Sequence, residues 1–110
     1  MSKREVGLYF QDVIQAIKTV EEYVQDFDFE KFSQDRKTID AVIRNVAIIG
    51  EAINNLPGEI KAANPQIPWD EINGMRNKII HEYFGVSKSI LWQTIKEDLP
   101  ELKKQILKIS

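Results

Sequence analysis

The sequence predicts an all-α protein, a compact bundle of about five helices forming one domain over residues 1–110. Three observations carry that reading. Between five glycines and four prolines, the apolar residues recur at helical spacing. The strict alternation of a half-buried strand is absent throughout. No repeat, low-complexity tract or long linker divides the 110 residues, and their 43% hydrophobic content is ordinary for a globular domain.

The elements follow in order. Val6, Phe10, Val13, Ile14, Ile17, Val20 and Val24 form one stripe, which predicts a first helix over residues 4–25. Asp26-Phe27-Asp28-Phe29 interrupts that pattern, and an aspartate there suits a turn or a new N-cap. A second long helix is expected from about Asp35 to Asn54, with Ile39, Val42, Ile43, Val46, Ile49 and Ile53 as its stripe. Gly50 lies on the same face. A glycine there costs about 1 kcal/mol of helix propensity, which is tolerable where a partner helix approaches closely. Leu56-Pro57-Gly58 ends this helix, and a short one is expected from Glu59 to Ala63. Asn64-Pro65-Gln66-Ile67-Pro68 is the clearest non-helical stretch. Pro68-Trp69-Asp70 then opens a fourth helix through about Tyr83, stopped by Gly85. Ser87 caps a fifth from Lys88 to Glu97, and Asp98-x-x-Glu101 reads as a capping box opening a last helix to Ile109.

Composition removes several function classes. Fifteen Lys and Arg against seventeen Asp and Glu give a net charge of −2, which excludes a strongly basic nucleic-acid coat. With no cysteine there is no disulfide, thiol nucleophile or thiolate zinc site. His81 is the only histidine, so a multi-histidine metal site would need two chains. No metal and no cofactor are expected. Met1-Ser2-Lys3-Arg4-Glu5 leads into no signal-peptide core, and no window approaches a membrane span. The expectation is a soluble, cytoplasmic protein.

One segment departs from a plain core pattern. With about 100° per residue, Ile80, Tyr83 and Ile72 all fall within about 40° of Arg76 around the fourth helix. Arg76 thus sits at the centre of an apolar stripe, where a charge is least expected. Asn77 and His81, four residues apart, form a polar pair on its shoulder. Lys78 and Glu82 face roughly the opposite way. A structural account is available: the arginine lends its methylenes to the core and pairs with Glu51 or Asp35. The combination also suits chemistry. Arginine clamps phosphate and histidine carries protons near neutral pH, together a minimal ribonuclease apparatus.

Arg76-Asn77-Lys78-Ile79-Ile80-His81-Glu82-Tyr83 matches the Arg-x4-His-x-Tyr motif and resembles the HepT-like toxins of the HEPN superfamily. Further segments fall in register around it: Asp35 to Asn45, Ile48-Ile49-Gly50-Glu51-Ala52, Pro68-Trp69-Asp70-Glu71-Ile72, Tyr83-Phe84-Gly85-Val86, Leu91-Trp92 and Asp98-Leu99-Pro100. The resemblance implies an all-helical, HEPN-like homodimer whose two Arg/His motifs meet in a cleft. It implies metal-independent endoribonuclease activity on RNA, with Arg76 and His81 catalytic. It also implies the toxin role in a type II, or AMPylation-controlled type VII, toxin–antitoxin pair. The antitoxin would be a minimal, MntA-like nucleotidyltransferase, which in some members adds AMP to the motif tyrosine, here Tyr83.

The residues support a dimer on separate grounds. Attack by a 2′-hydroxyl wants a base and an acid, and each chain has one histidine; a two-fold axis near the fourth helix brings two together. Asn77 would position phosphate or imidazole, and Glu51 would orient His81 or bind Arg76. Trp69 and Trp92 are better read as packing than as base-stacking platforms, and Tyr9 and Phe10 as core or dimer interface. Lys103, Lys104 and Lys108 on the last helix are available to RNA, although solvated lysines need no function. The rival reading is a non-catalytic helical subunit that only binds its nucleotidyltransferase partner or a nucleotide.

Overall fold

A computed structural model of the chain describes residues 2–81 and 87–109, the side chains of residues 78–81 excepted. The described residues are helical with short connections: α1 (Lys3–Tyr23), α2 (Phe29–Gln34), α3 (Arg36–Asn54), α4 (Gly58–Ala63), α5 (Trp69–His81), α6 (Lys88–Gln93) and α7 (Leu99–Ile109). None of these helices is long and apolar enough to cross a membrane.

Side-chain caps explain several boundaries, two of them at expected places, the Asp26–Phe29 interruption and Ser87. Asp28 accepts a hydrogen bond from the Lys31 backbone N–H at 2.8 Å, so the interruption after α1 opens the short α2. Asp35 accepts from Thr38 N–H at 3.0 Å and starts α3. This cap also corrects one expectation: Asp35 serves its own helix rather than Arg76. Ser87 accepts from Ile90 N–H at 3.4 Å at the start of α6.

The expected break at Asp98 is not formed. The chain runs from α6 through a widened π turn, Thr94–Asp98, straight into α7, and Leu99 is itself helical at φ −67° and ψ −42°. Leu99 N–H reaches back to the Thr94 carbonyl. The physical reason lies in Pro100, which has no N–H to donate and whose ring crowds the preceding turn. A π turn opens that turn without ending the helix. The capping-box pattern at Asp98 and Glu101 is therefore coincidental.

The core is a hydrocarbon seam. Val13, Ile17 and Val20 of α1 and Val42, Val46 and Ile49 of α3 are all completely shielded from solvent. α1 and α3 make the most extensive contact between elements, α5 packs on α3, and α7 packs on α1 through Leu99, Leu102 and Ile106. Lys103 of α7 reaches Glu21 of α1 at 2.7 Å, which occupies one of the lysines considered for RNA. Trp92 packs at a tilt against the buried Phe32, with ring centroids 5.0 Å apart, so it is a packing residue as read. Trp69 Nε1 donates to the carbonyls of Lys61 and Asn64 at 3.1 and 3.0 Å. That bond ties the non-helical stretch down and fixes where α5 begins.

Candidate active site

α5 crosses α3 at Gly50. A Cβ placed on Gly50 would lie 2.6 Å from Arg76 Cβ and 2.8 Å from Arg76 Cδ, and closer still to Cγ. No side chain fits there. The glycine is therefore a seat cut for the arginine's methylenes, the close approach that its place on a packing face requires. Ile72, one turn before Arg76, is buried, and Met75 packs against the core. Arg76 is thus embedded by its stem in an apolar seam, with its side chain one-quarter exposed.

Its head is only partly satisfied. Arg76 Nη1 donates to Asn77 Oδ1 at 2.8 Å. Arg76 Nη2 lies 3.4 Å from Glu51 Oε2, whose side chain is 61% exposed. A pair that long and that open contributes at most about 1 kcal/mol. Arg76 Nε is buried and has no hydrogen-bond partner among the described residues. An orphaned buried donor costs about 1–3 kcal/mol, on the scale of what the Asn77 hydrogen bond supplies. The polar contacts of the head thus leave the fold little net gain from an arginine here. The guanidinium carries five N–H donors; among the described residues one on each Nη is engaged, which leaves one on each for a ligand.

Of the residues singled out in the sequence, Arg76, Asn77 and Glu51 come together here. Glu51 binds the arginine, one of the two roles considered for it. Asn77 spends its carbonyl oxygen on the same guanidinium, so it positions Arg76 directly. His81 is the last residue of α5, four residues beyond Asn77, and its side chain lies outside the described residues. Tyr83 lies wholly outside them. Phe10 is core, while Tyr9 is half-buried and lines the groove in front of Arg76.

That groove runs between α1 and α3. Tyr9 and Asp12 of α1, Arg44 and Glu51 of α3, Asn55 just after α3 and Arg76 of α5 all line it. Tyr9, Asp12, Arg44 and Asn55 were not read as site residues from the sequence, apart from an interface role for Tyr9. A helical-face projection from Glu51 would have found Arg44 and Asn55, since both fall within about 40° of it. The α1 pair depends on how α1 lies on α3, which periodicity does not give.

A family profile described as Ribonuclease HepT-like matches residues 13–109. The chain is 47% identical over 107 residues to a protein of Thermococcus cleftensis named "Probable ribonuclease HepT", covering 97% of each. It is 44% identical over 101 residues to a candidate RNase of Caldanaerobacter subterraneus subsp. tengcongensis, covering 92% of this chain and 90% of that one. It is 38% identical over 106 residues to a candidate RNase of Methanocaldococcus jannaschii, covering 96% of this chain and 97% of the other. No solved structure matches significantly.

Proposed function

This chain belongs to the HepT-like ribonuclease family, and on that premise we propose that it is the toxin of a toxin–antitoxin pair. It acts in the cytoplasm as a metal-independent endoribonuclease. The observation that supports this reading best is Arg76, whose stem is seated on Gly50 and whose head keeps free donors and a buried, unpartnered Nε. Such a group is costly to the fold and suited to an anion.

The reaction is a transesterification. The RNA 2′-hydroxyl attacks the adjacent phosphorus, and the bond from phosphorus to the 5′-oxygen breaks. A 2′,3′-cyclic phosphate and a 5′-hydroxyl result. His81 takes the proton from the 2′-oxygen, and the partner's His81 returns one to the leaving 5′-oxygen. Arg76 holds the non-bridging oxygens through a planar donor pair and stabilises the charge that builds on them. Asn77 keeps the guanidinium in that orientation. The site is shared in a homodimer, because one chain offers one histidine for two proton transfers.

The antitoxin is a minimal nucleotidyltransferase of the MntA type. Tyr83 is its acceptor: the phenol oxygen attacks the α-phosphorus of ATP and pyrophosphate leaves. The added phosphate and adenosine then compete for Arg76 and repel the substrate strand.

The test is cleavage of single-stranded RNA by the purified chain in EDTA. Wild type should cut and leave cyclic phosphate ends, and His81→Ala should lose at least about 10²-fold. Activity that survives His81→Ala, or that EDTA abolishes, contradicts the mechanism. Light scattering should give twice the chain mass, and a monomer at every concentration rules out the shared site. Intact-mass analysis after incubation with the partner and ATP should show one AMP on wild type and none on Tyr83→Phe.

A further inference from the structure

We infer that Arg44 is a second phosphate contact, holding the RNA backbone beside the phosphate being cut. This rests on the RNA-cleaving reading and extends it from one phosphate to a short track. Arg44 and Arg76 line the same groove. Arg44 lies seven positions before Glu51 on α3, the residue paired with Arg76. That is nearly two full turns, so Arg44 shares Glu51's face and stands about 10 Å along the helix axis from it.

The two arginines differ in how they are held. Arg76 has Asn77 and Glu51 on its head. Arg44 is exposed and makes no hydrogen bond or ion pair among the described residues. Asp12 lines the same groove yet comes within no ion-pairing distance of it. Two lysines elsewhere on the surface are engaged, Lys103 with Glu21 and Lys88 with the Ser33 carbonyl; among the cations that line this groove, Arg76 is held and Arg44 is not. Arg44 is therefore a long, uncommitted cation in the groove that leads to the clamp. A strand whose scissile phosphate rests on Arg76 and which follows this groove brings a neighbouring phosphate to Arg44. In a chain of net charge −2, few such contacts exist, so losing one is measurable.

Binding is read with a short 2′-O-methyl RNA oligonucleotide, which lacks the attacking hydroxyl and stays intact. Arg44→Gln should bind it about 10-fold more weakly, the scale of one hydrogen bond to a charged group. The slope of log affinity against log salt should fall by about 0.7. Arg44→Lys should recover the slope, because it restores the charge. The deficit of Arg44→Gln should shrink on a 2′-O-methyl dinucleotide, which has only one phosphodiester. Wild-type affinity and slope in Arg44→Gln would overturn the inference. So would an equal deficit on both lengths, or an altered assembly mass, which assigns Arg44 to subunit contact. Absence of binding by wild type overturns it as well. If wild type binds this probe but does not cut unmodified RNA, catalysis fails and the Arg44 contact stands.

Discussion

Ile49 and Gly50 are neighbours on α3. Ile49 is completely shielded within the hydrocarbon that α1 and α3 share, alongside Val13, Ile17, Val42 and Val46. Gly50 gives up its side chain so that the stem of Arg76 can lie against the helix backbone. The first contact is what an amphipathic pair of helices forms on its own, by removing apolar surface from water. The second inserts a charged residue into a seam, leaves its Nε unpartnered among the described residues and offsets this with a hydrogen bond to Asn77 and one long, exposed ion pair. One helix thus carries both the stable part of the molecule and the part that is kept at a cost. That is the pattern expected where local rules are broken for function.

The largest expected effect lies on the hydrocarbon side. Ile49→Ala should cost about 2–5 kcal/mol, since it opens a cavity among shielded side chains. Urea unfolding measures it, and a loss below that of a surface substitution would mean the core is not built as described. Gly50→Ala should cost less, about 1–3 kcal/mol, although alanine is the better helix former by about 1 kcal/mol. The added methyl must displace the Arg76 stem. Cleavage should fall with it, and Arg76→Ala in the same chain should recover part of the stability, since neighbouring sites do not add. A stabilised, fully active Gly50→Ala would show that no close approach exists there.

The same contrast explains what could be read in the sequence. Periodicity gave the α1 and α3 stripes because burial has the period of the helix, and short-range caps at Asp28 and Ser87 fixed where helices start. Arg76 stood out because it broke that period, and Gly50 because it weakened a helix where no turn was needed. Two things were hidden. Pro100 forced a π turn where a capping box was expected, since local patterns do not show how an interior proline is accommodated. The α1 wall of the groove, Tyr9 and Asp12, is set by how α1 lies on α3, a long-range property that no spacing encodes.

The smallest effect lies beside that π turn. Burial, then the neighbouring Glu97 and more distantly Glu71, raise the Asp98 carboxyl above its usual 3.8, against a hydrogen bond with Thr94 that lowers it. The folded state therefore holds this proton more tightly than the unfolded chain does, and stability falls as pH rises through that range. Asp98→Asn should gain a few tenths of a kcal/mol at neutral pH, a modest value because the group is largely solvated. The gain should vanish once both states are protonated in acid. A lower melting temperature for Asp98→Asn at neutral pH would contradict this.

The central claim is that Arg76 is held in the seam for chemistry and not for stability, and Arg76→Met tests it most directly. Methionine keeps an unbranched stem over Gly50 and removes both the charge and the orphaned Nε. The single-turnover rate on single-stranded RNA should fall at least about 10²-fold, as when one charge-stabilising donor is lost. Measured in parallel, the urea midpoint should stay level or rise, because a buried unsatisfied donor has gone. A variant that cleaves within a few-fold of wild type, or one that loses its rate only because it unfolds, would contradict the account.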